Sequence, residues 1–99
     1  MSRKPRRTPA EAEHHEWVRR QPCAVCGSCD GVEAHHVGHP MGGHKLHWWV
    51  CPLCEFHHRG FKGIHNPKVG KRRWEADTRT TETALVIATL AKRIEEGEQ

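Results

Sequence analysis

Apolar positions are thinly spread along this chain, and the elements they predict are correspondingly short. Thr8-Pro9-Ala10-Glu11 spells a helix start, with Thr as N-cap, Pro at the first helical position and Glu three residues on to complete a capping box. The pattern predicts a helix that runs to Arg20 and stops before Pro22. Trp17 and Val18 are its apolar content, so it should pack lightly, with His14 and His15 exposed. Val32–Val37 reads as a short strand. Pro40-Met41-Gly42-Gly43 reads as a loop, and Leu46–Val50 as a second strand that sends Trp48 and Trp49 to opposite faces. A short helix can begin after Pro52, weakened by Gly60 and Gly63 and ended by Pro67. Asn66–Arg73 then reads as a basic linker. Asp77 or Thr78 can cap a last helix through Ile94, with Ile87, Leu90 and Ile94 forming one apolar stripe.

These elements divide the chain into a flexible basic arm (1–8), an N-terminal helix (9–21), a core (22–66), a basic linker (67–76) and a C-terminal helix (77–96). Together they make one domain of the α+β class. Only 35% of the 99 residues are hydrophobic, with two Phe and no Tyr, so the core needs help from metals or disulfides. Charge changes the picture further. Residues 1–20 carry six Arg/Lys against three Glu, and residues 59–79 carry seven against two acids. Two basic segments around a cysteine-rich middle point to a polyanion partner. No apolar run approaches a membrane span, and the N-terminal residues lack the apolar stretch of a signal peptide. The expected setting is therefore cytoplasmic, close to the nucleoid.

Five Cys is an odd count, which favours metal-binding thiolates over a disulfide framework. Cys23-Ala24-Val25-Cys26-Gly27 places two thiolates at the spacing that grips one tetrahedral zinc. Two further ligands are needed. Cys54 with His57 supplies one pair, Cys51 with Cys54 a rival pair, and Cys29 a third option. Cys54 belongs to both pairs.

Ten His is far more than one structural site uses. Glu33-Ala34-His35-His36-Val37 sets adjacent imidazoles on a strand, where they face different ways. A neutral His there can activate water. His58 lies next to His57, about 100° round a helical turn, and can face a second ion; His47 and His65 lie nearby in the chain. Chemistry that fits this group is phosphodiester hydrolysis with a divalent cation. Arg59, Lys62, Lys68, Lys71, Arg72 and Arg73 can hold the nucleic-acid backbone on either side of the cut.

The order CxxC, AHHV, GG and PLCxxHH resembles the histidine–asparagine–histidine (HNH) endonucleases. These are also called His-Me finger or ββα-metal enzymes. The nearest resemblance is to the phage and prophage recombination-enhancement nucleases, over about residues 21 to 66. It implies a small ββα-metal core, a zinc-stapled hairpin plus helix, with flanking helices at both ends. It also implies a DNA endonuclease of phage or prophage DNA processing or recombination. On that pattern Cys23, Cys26, Cys54 and His57 hold a structural zinc. His35 and His58 hold a catalytic divalent cation (magnesium, manganese or zinc), with His65 a further ligand at either centre. His36 is the general base, and His47 stands near the middle Asn position. DNA is the implied partner, alongside a phage or host recombination protein. Here the middle position carries His, or Trp49 if the alignment slips by two, and His57 replaces the usual Cys. The rival readings are a catalytically inactive zinc-stabilised DNA-binding or adaptor module, and an interaction protein docked through its C-terminal helix.

Overall fold

Thr8 opens the first helix with two reciprocal hydrogen bonds. Its hydroxyl accepts from the Glu11 amide at 3.1 Å, and the Glu11 carboxylate accepts from the Thr8 amide at 2.7 Å. The computed structural model describes residues 7–38 and 47–97. In chain order these form α1 (Pro9–Arg19), β1 (Glu33–His36), β2 (Val50–Leu53), α2 (Glu55–His58), α3 (Gly70–Thr78) and α4 (Glu82–Gly97). The result is a small α+β domain. Its two strands pair antiparallel, with His35 opposite Cys51 and His36 opposite Val50.

β2 is buried at all four positions, and the rest is arranged around it. α1 packs against both strands and α4 packs against β2. Val18, Val50, Cys51, Leu53, Trp74, Leu85 and Val86 form the buried interior. Pro52 is tolerated in β2 because a two-stranded sheet leaves one edge of each strand without a ladder partner. Its carbonyl accepts from the Ala24 amide at 2.9 Å, which ties the cysteine-rich loop to the strand.

Several expectations need correction. The second strand lies at Val50–Leu53, later than Leu46–Val50, so Trp48 and Trp49 precede it. The stretch 67–76, read as a linker, contributes most of α3. One buried residue holds that helix: the Trp74 indole donates to the His57 carbonyl at 3.0 Å. Asp77 and Thr78 end α3 instead of capping the last helix. Arg79 turns the chain in a left-handed conformation, φ 58°, and Thr81 caps α4 through the Ala84 amide. On α4 the buried face is Leu85, Val86 and Thr89, whereas Ile87 and Ile94 are exposed. The loop at Pro40–Gly43 and residues 1–6 of the arm lie outside the described residues. Among the described residues no helix is long and apolar enough to cross a membrane.

His14 and His15 are buried, not exposed. Imidazole takes the place of aliphatic packing on this face of α1. His14 lies between the Trp17 and Trp48 rings, with centroids 6.1 and 5.0 Å away. The Arg93 guanidinium of α4 donates to its Nδ1 at 2.7 Å and sits over both indoles. The Trp17 indole in turn donates to Glu96 at 2.9 Å. This polar–aromatic layer joins the two terminal helices.

Burial, and then the Arg93 charge, push the His14 pKa down from 6.5 to about 4. Below pH 6.5 the unfolded chain therefore takes up a proton that the native form refuses. The stabilisation tied to neutral His14 is complete above that pH and is lost as the pH falls toward 4. A His14→Gln variant keeps an oxygen for Arg93 but cannot titrate. Melting temperatures measured between pH 7 and pH 4 should fall more steeply in the parent chain than in this variant; parallel curves would refute the assignment.

Candidate metal centres

The first cluster is built by a turn that favours glycine. Gly27 has φ 78°, and its amide donates to the Cys23 carbonyl at 2.8 Å, which folds Cys26 back beside Cys23. Cys54 and His57 arrive from the β2–α2 junction. The four ligand atoms of Cys23, Cys26, Cys54 and His57 all lie within 4.8 Å of one another. Cys26 Sγ and Cys54 Sγ are 3.7 Å apart, and Cys54 Sγ is 3.4 Å from His57 Nδ1. A tetrahedron with Zn–S of about 2.3 Å and Zn–N of about 2.0–2.1 Å has edges of roughly 3.7 and 3.5 Å. The spacing is therefore that of ligands on one ion, and the cluster can hold a metal ion such as zinc.

Local electrostatics agree. Burial alone would raise the Cys23 pKa, but the amide N–H groups of Cys54, Cys26 and Val25 outweigh it and lower it. Cys54 is pushed up to about 11, first by burial and also by the neighbouring thiols. Without a cation Cys54 keeps its proton at neutral pH, so metal entry there must expel one. Cys51 stands apart: it is fully buried and pushed up to about 12 by burial. It is core material and not a ligand. Cys29 is an exposed free thiol outside the cluster.

On the strand, His35 and His36 point to opposite faces, and each joins a different cluster. His35 meets His58 and His65. The ring centroids are 5.0, 5.0 and 4.8 Å apart, and His35 Nδ1 lies 3.2 Å from His58 Nε2. His65 reaches the group although α2 ends at His58, because the chain doubles back and the His65 amide bonds the His58 carbonyl at 2.9 Å. Gly63 makes this possible: a Cβ there would sit 2.7 Å from the His58 carbonyl group.

Behind the imidazoles stand carboxylates. His35 Nε2 donates to Glu82 Oε2 at 2.7 Å, and its other ring nitrogen, Nδ1, faces His58 Nε2 at 3.2 Å. Glu33 lies 3.4 Å from His58 Nδ1 and 3.2 Å from Arg59 Nε. Imidazoles backed by carboxylates are the usual outer shell of a metal site. Burial, and then neighbouring imidazole charge, hold His58 at about 4 and lower His65, so both keep the neutral, ligating form. Glu82 has no signal in the sequence: it sits 47 residues from His35, on the first turn of a helix whose start is not legible.

His36 faces His47 and His15, with ring centroids 5.6 and 5.0 Å away. His36 Nε2 lies 3.4 Å from His47 Nδ1. Ligand atoms of these three also fall within 4.8 Å, but the surroundings differ. His15 donates through Nε2 to the His47 carbonyl at 2.5 Å and accepts from Arg7 at 3.0 Å through Nδ1. A guanidinium, not a carboxylate, stands behind it. That suits a neutral hydrogen-bonding imidazole better than a cation ligand, and burial and Arg7 both lower its pKa.

The predicted backbone-binding residues gather on the turn after α2 and along α3. Arg59, Lys68, Lys71, Arg72 and Arg73 are exposed and Lys62 half-exposed. Arg59 and Lys71 flank the three-histidine group through its carboxylates, Arg59 at 3.2 Å from Glu33 and Lys71 at 3.8 Å from Glu82.

A structural ion contributes on the order of 10 kcal/mol or more in small domains, against a typical net stability of about 5–15 kcal/mol. Adding a strong chelator at neutral pH should therefore collapse the helical circular-dichroism signal, and zinc should restore it. An unchanged spectrum after verified metal loss would exclude a structural role for the tetrad.

Comparison with known proteins places the chain in a wider group. The chain is 40% identical over 58 residues to "Uncharacterized protein YdfU" of Escherichia coli (strain K12), a match covering 54% of this chain and 16% of that protein. It therefore spans about a sixth of that relative's length. No solved structure matches it significantly. A family model matches residues 1–97, and the chain belongs to that family, described as Protein of unknown function (DUF968).

Proposed function

We propose that this chain is a metal-dependent endonuclease of the HNH, ββα-metal type that hydrolyses phosphodiester bonds in DNA. The observation that carries the reading is the division of two adjacent histidines. His35 enters a three-imidazole group backed by carboxylates, while His36 enters a hydrogen-bonded group backed by Arg7. The first suits a cation ligand and the second a base. The likeness of AHHV and PLCxxHH to HNH nucleases supports the same assignment, as does the basic surface along α3. The phage and prophage setting, in DNA processing or recombination, rests on that likeness.

His36 accepts the proton of the attacking water, a role open to an imidazole near neutral pH. His47 orients it from 3.4 Å, and His15 fixes the His47 backbone from α1. Two histidines thus take up the positioning work that an Asn does in HNH relatives. His35, His58 and His65 would hold the divalent cation (magnesium, manganese or zinc, of which three imidazoles suit zinc best), and the cation would supply positive charge to the scissile phosphate and the leaving 3′ oxygen. Glu82 keeps His35 in the tautomer that presents Nδ1. Lys71, Arg72 and the neighbouring cations hold the flanking phosphates, which positions DNA without reading its sequence. The absence of Asn at the middle position favours one alternative, a zinc-stabilised DNA-binding module without catalysis.

Plasmid incubated with the protein and magnesium or manganese tests the proposal. Nicking should drop about 10²–10⁴-fold in His36→Ala, with zinc content and circular dichroism unchanged. Glu82→Gln should raise the cation concentration for half-maximal nicking about 10–100-fold. A folded wild-type chain that binds DNA but never cuts it, with any of the divalent ions, would leave only the binding module.

A further inference from the structure

Phe61 is the most exposed large hydrophobic side chain described, at 76%. Its backbone is nonetheless firmly held. The Asn66 side-chain amide donates to the carbonyls of Gly60 and Phe61 at 3.3 and 3.4 Å, the Gly63 amide bonds Gly60, and the Ile64 amide bonds His57. An aromatic ring is thus presented to water on a pinned turn, at the cost of leaving its apolar surface uncovered. Folding does not require this, because the ring packs on nothing in the core.

The surroundings say what it fits. Phe61 and Val69 line an open hollow of about 400 Å³ whose other walls carry Lys62, Lys68 and Arg73. Lys62 Nζ lies 5.8 Å from the Phe61 ring centroid. One acid, Asp77, bridges Lys62 at 3.8 Å and Arg73 at 3.2 Å; it holds both cations at the rim and leaves the hollow net positive. A flat aromatic face beside several cations is complementary to a nucleobase and its phosphates.

Inside a duplex both faces of each base are covered by stacked neighbours, so along a strand this ring fits a base freed from the stack. Position points the same way. Phe61 falls between His58 and His65, three and four residues from two members of the three-imidazole group. Three residues span at most about 11 Å, so the ring stands within a few nucleotides of that group.

We infer that Phe61, with Lys62, Lys68 and Arg73, forms a stacking subsite for an unpaired nucleotide. The substrate class is DNA with a single-stranded stretch beside the bond to be cut. The inference rests on the nuclease reading only for the word substrate; the binding subsite stands without cleavage.

The test is fluorescence anisotropy of the full zinc-loaded chain at low salt, without magnesium or manganese. The probes are a labelled oligothymidine and a duplex of equal length. Phe61→Ala should weaken single-strand binding about tenfold, the loss expected for one stacked base, and change duplex binding less than about twofold. Phe61→Trp should restore the affinity, which a mere folding defect would not allow. Lys68→Ala should weaken both probes and flatten the salt dependence. Equal single-strand affinity in Phe61→Ala and the parent would overturn the inference, as would equal losses on both probes or no single-strand binding at all. A concentration-dependent dimer that disappears with Phe61→Ala, without change in DNA affinity, would assign the ring to self-association instead. Because the assay needs no cleavage, its outcome is independent of whether the chain proves catalytic.

Discussion

The tie between the Cys23–Gly27 loop and the β2–α2 junction is the constraint on which everything else depends. Cys23 and Cys26 come from one side and Cys54 and His57 from the other, with spacings that match the edges of a single tetrahedron. The aliphatic interior is too small to hold these segments alone. Most of what is buried surrounds β2, and large apolar side chains such as Phe56 and Phe61 lie on the surface. A metal ion bound by the tetrad would make up for the hydrophobic core that this composition cannot supply.

Once β2 and α2 are fixed, the histidines follow. α2 delivers His58, and the Gly63 turn returns His65 to it. Pairing of β1 with β2 sets His35 on one face of the strand and His36 on the other. Each face is then completed by a terminal helix. α4 places Glu82 behind His35, and α1 places His15 beside His36 and His47. The layer of His14, Trp17, Trp48 and Arg93 holds those two helices together. The helices outside the hairpin thus supply the side chains that set the tautomer and orientation of the histidines within it.

What could be read in the sequence was local chemistry. The capping box at Thr8 and the CxxC turn at Gly27 each involve residues close in the chain whose types admit few alternatives. The coarse α+β class followed from the same signals. The misreadings of α1 and α3 share a cause: burial there is carried by residues that hydropathy counts as polar. His14 and His15 line the buried face of α1, and a single Trp74 docks the basic α3, so neither helix shows an apolar stripe. Pro52 concealed β2 because proline argues against a strand unless the sheet has a free edge. Glu82 and His15 were invisible as site residues because long-range contacts alone bring them there. Thr78 resembled a cap, yet its hydroxyl turns back to the Trp74 carbonyl.

The central claim is that thiolates and imidazoles form separate metal centres with different partners. Anomalous diffraction at the zinc edge, followed by manganese exchange, measures this directly. One zinc peak should lie within bonding distance of Cys23, Cys26, Cys54 and His57 together and survive the exchange, while a manganese peak appears among His35, His58 and His65. A zinc ion bound by Cys51 or Cys29 in place of these ligands, or no ion at the thiolate cluster, would contradict the account.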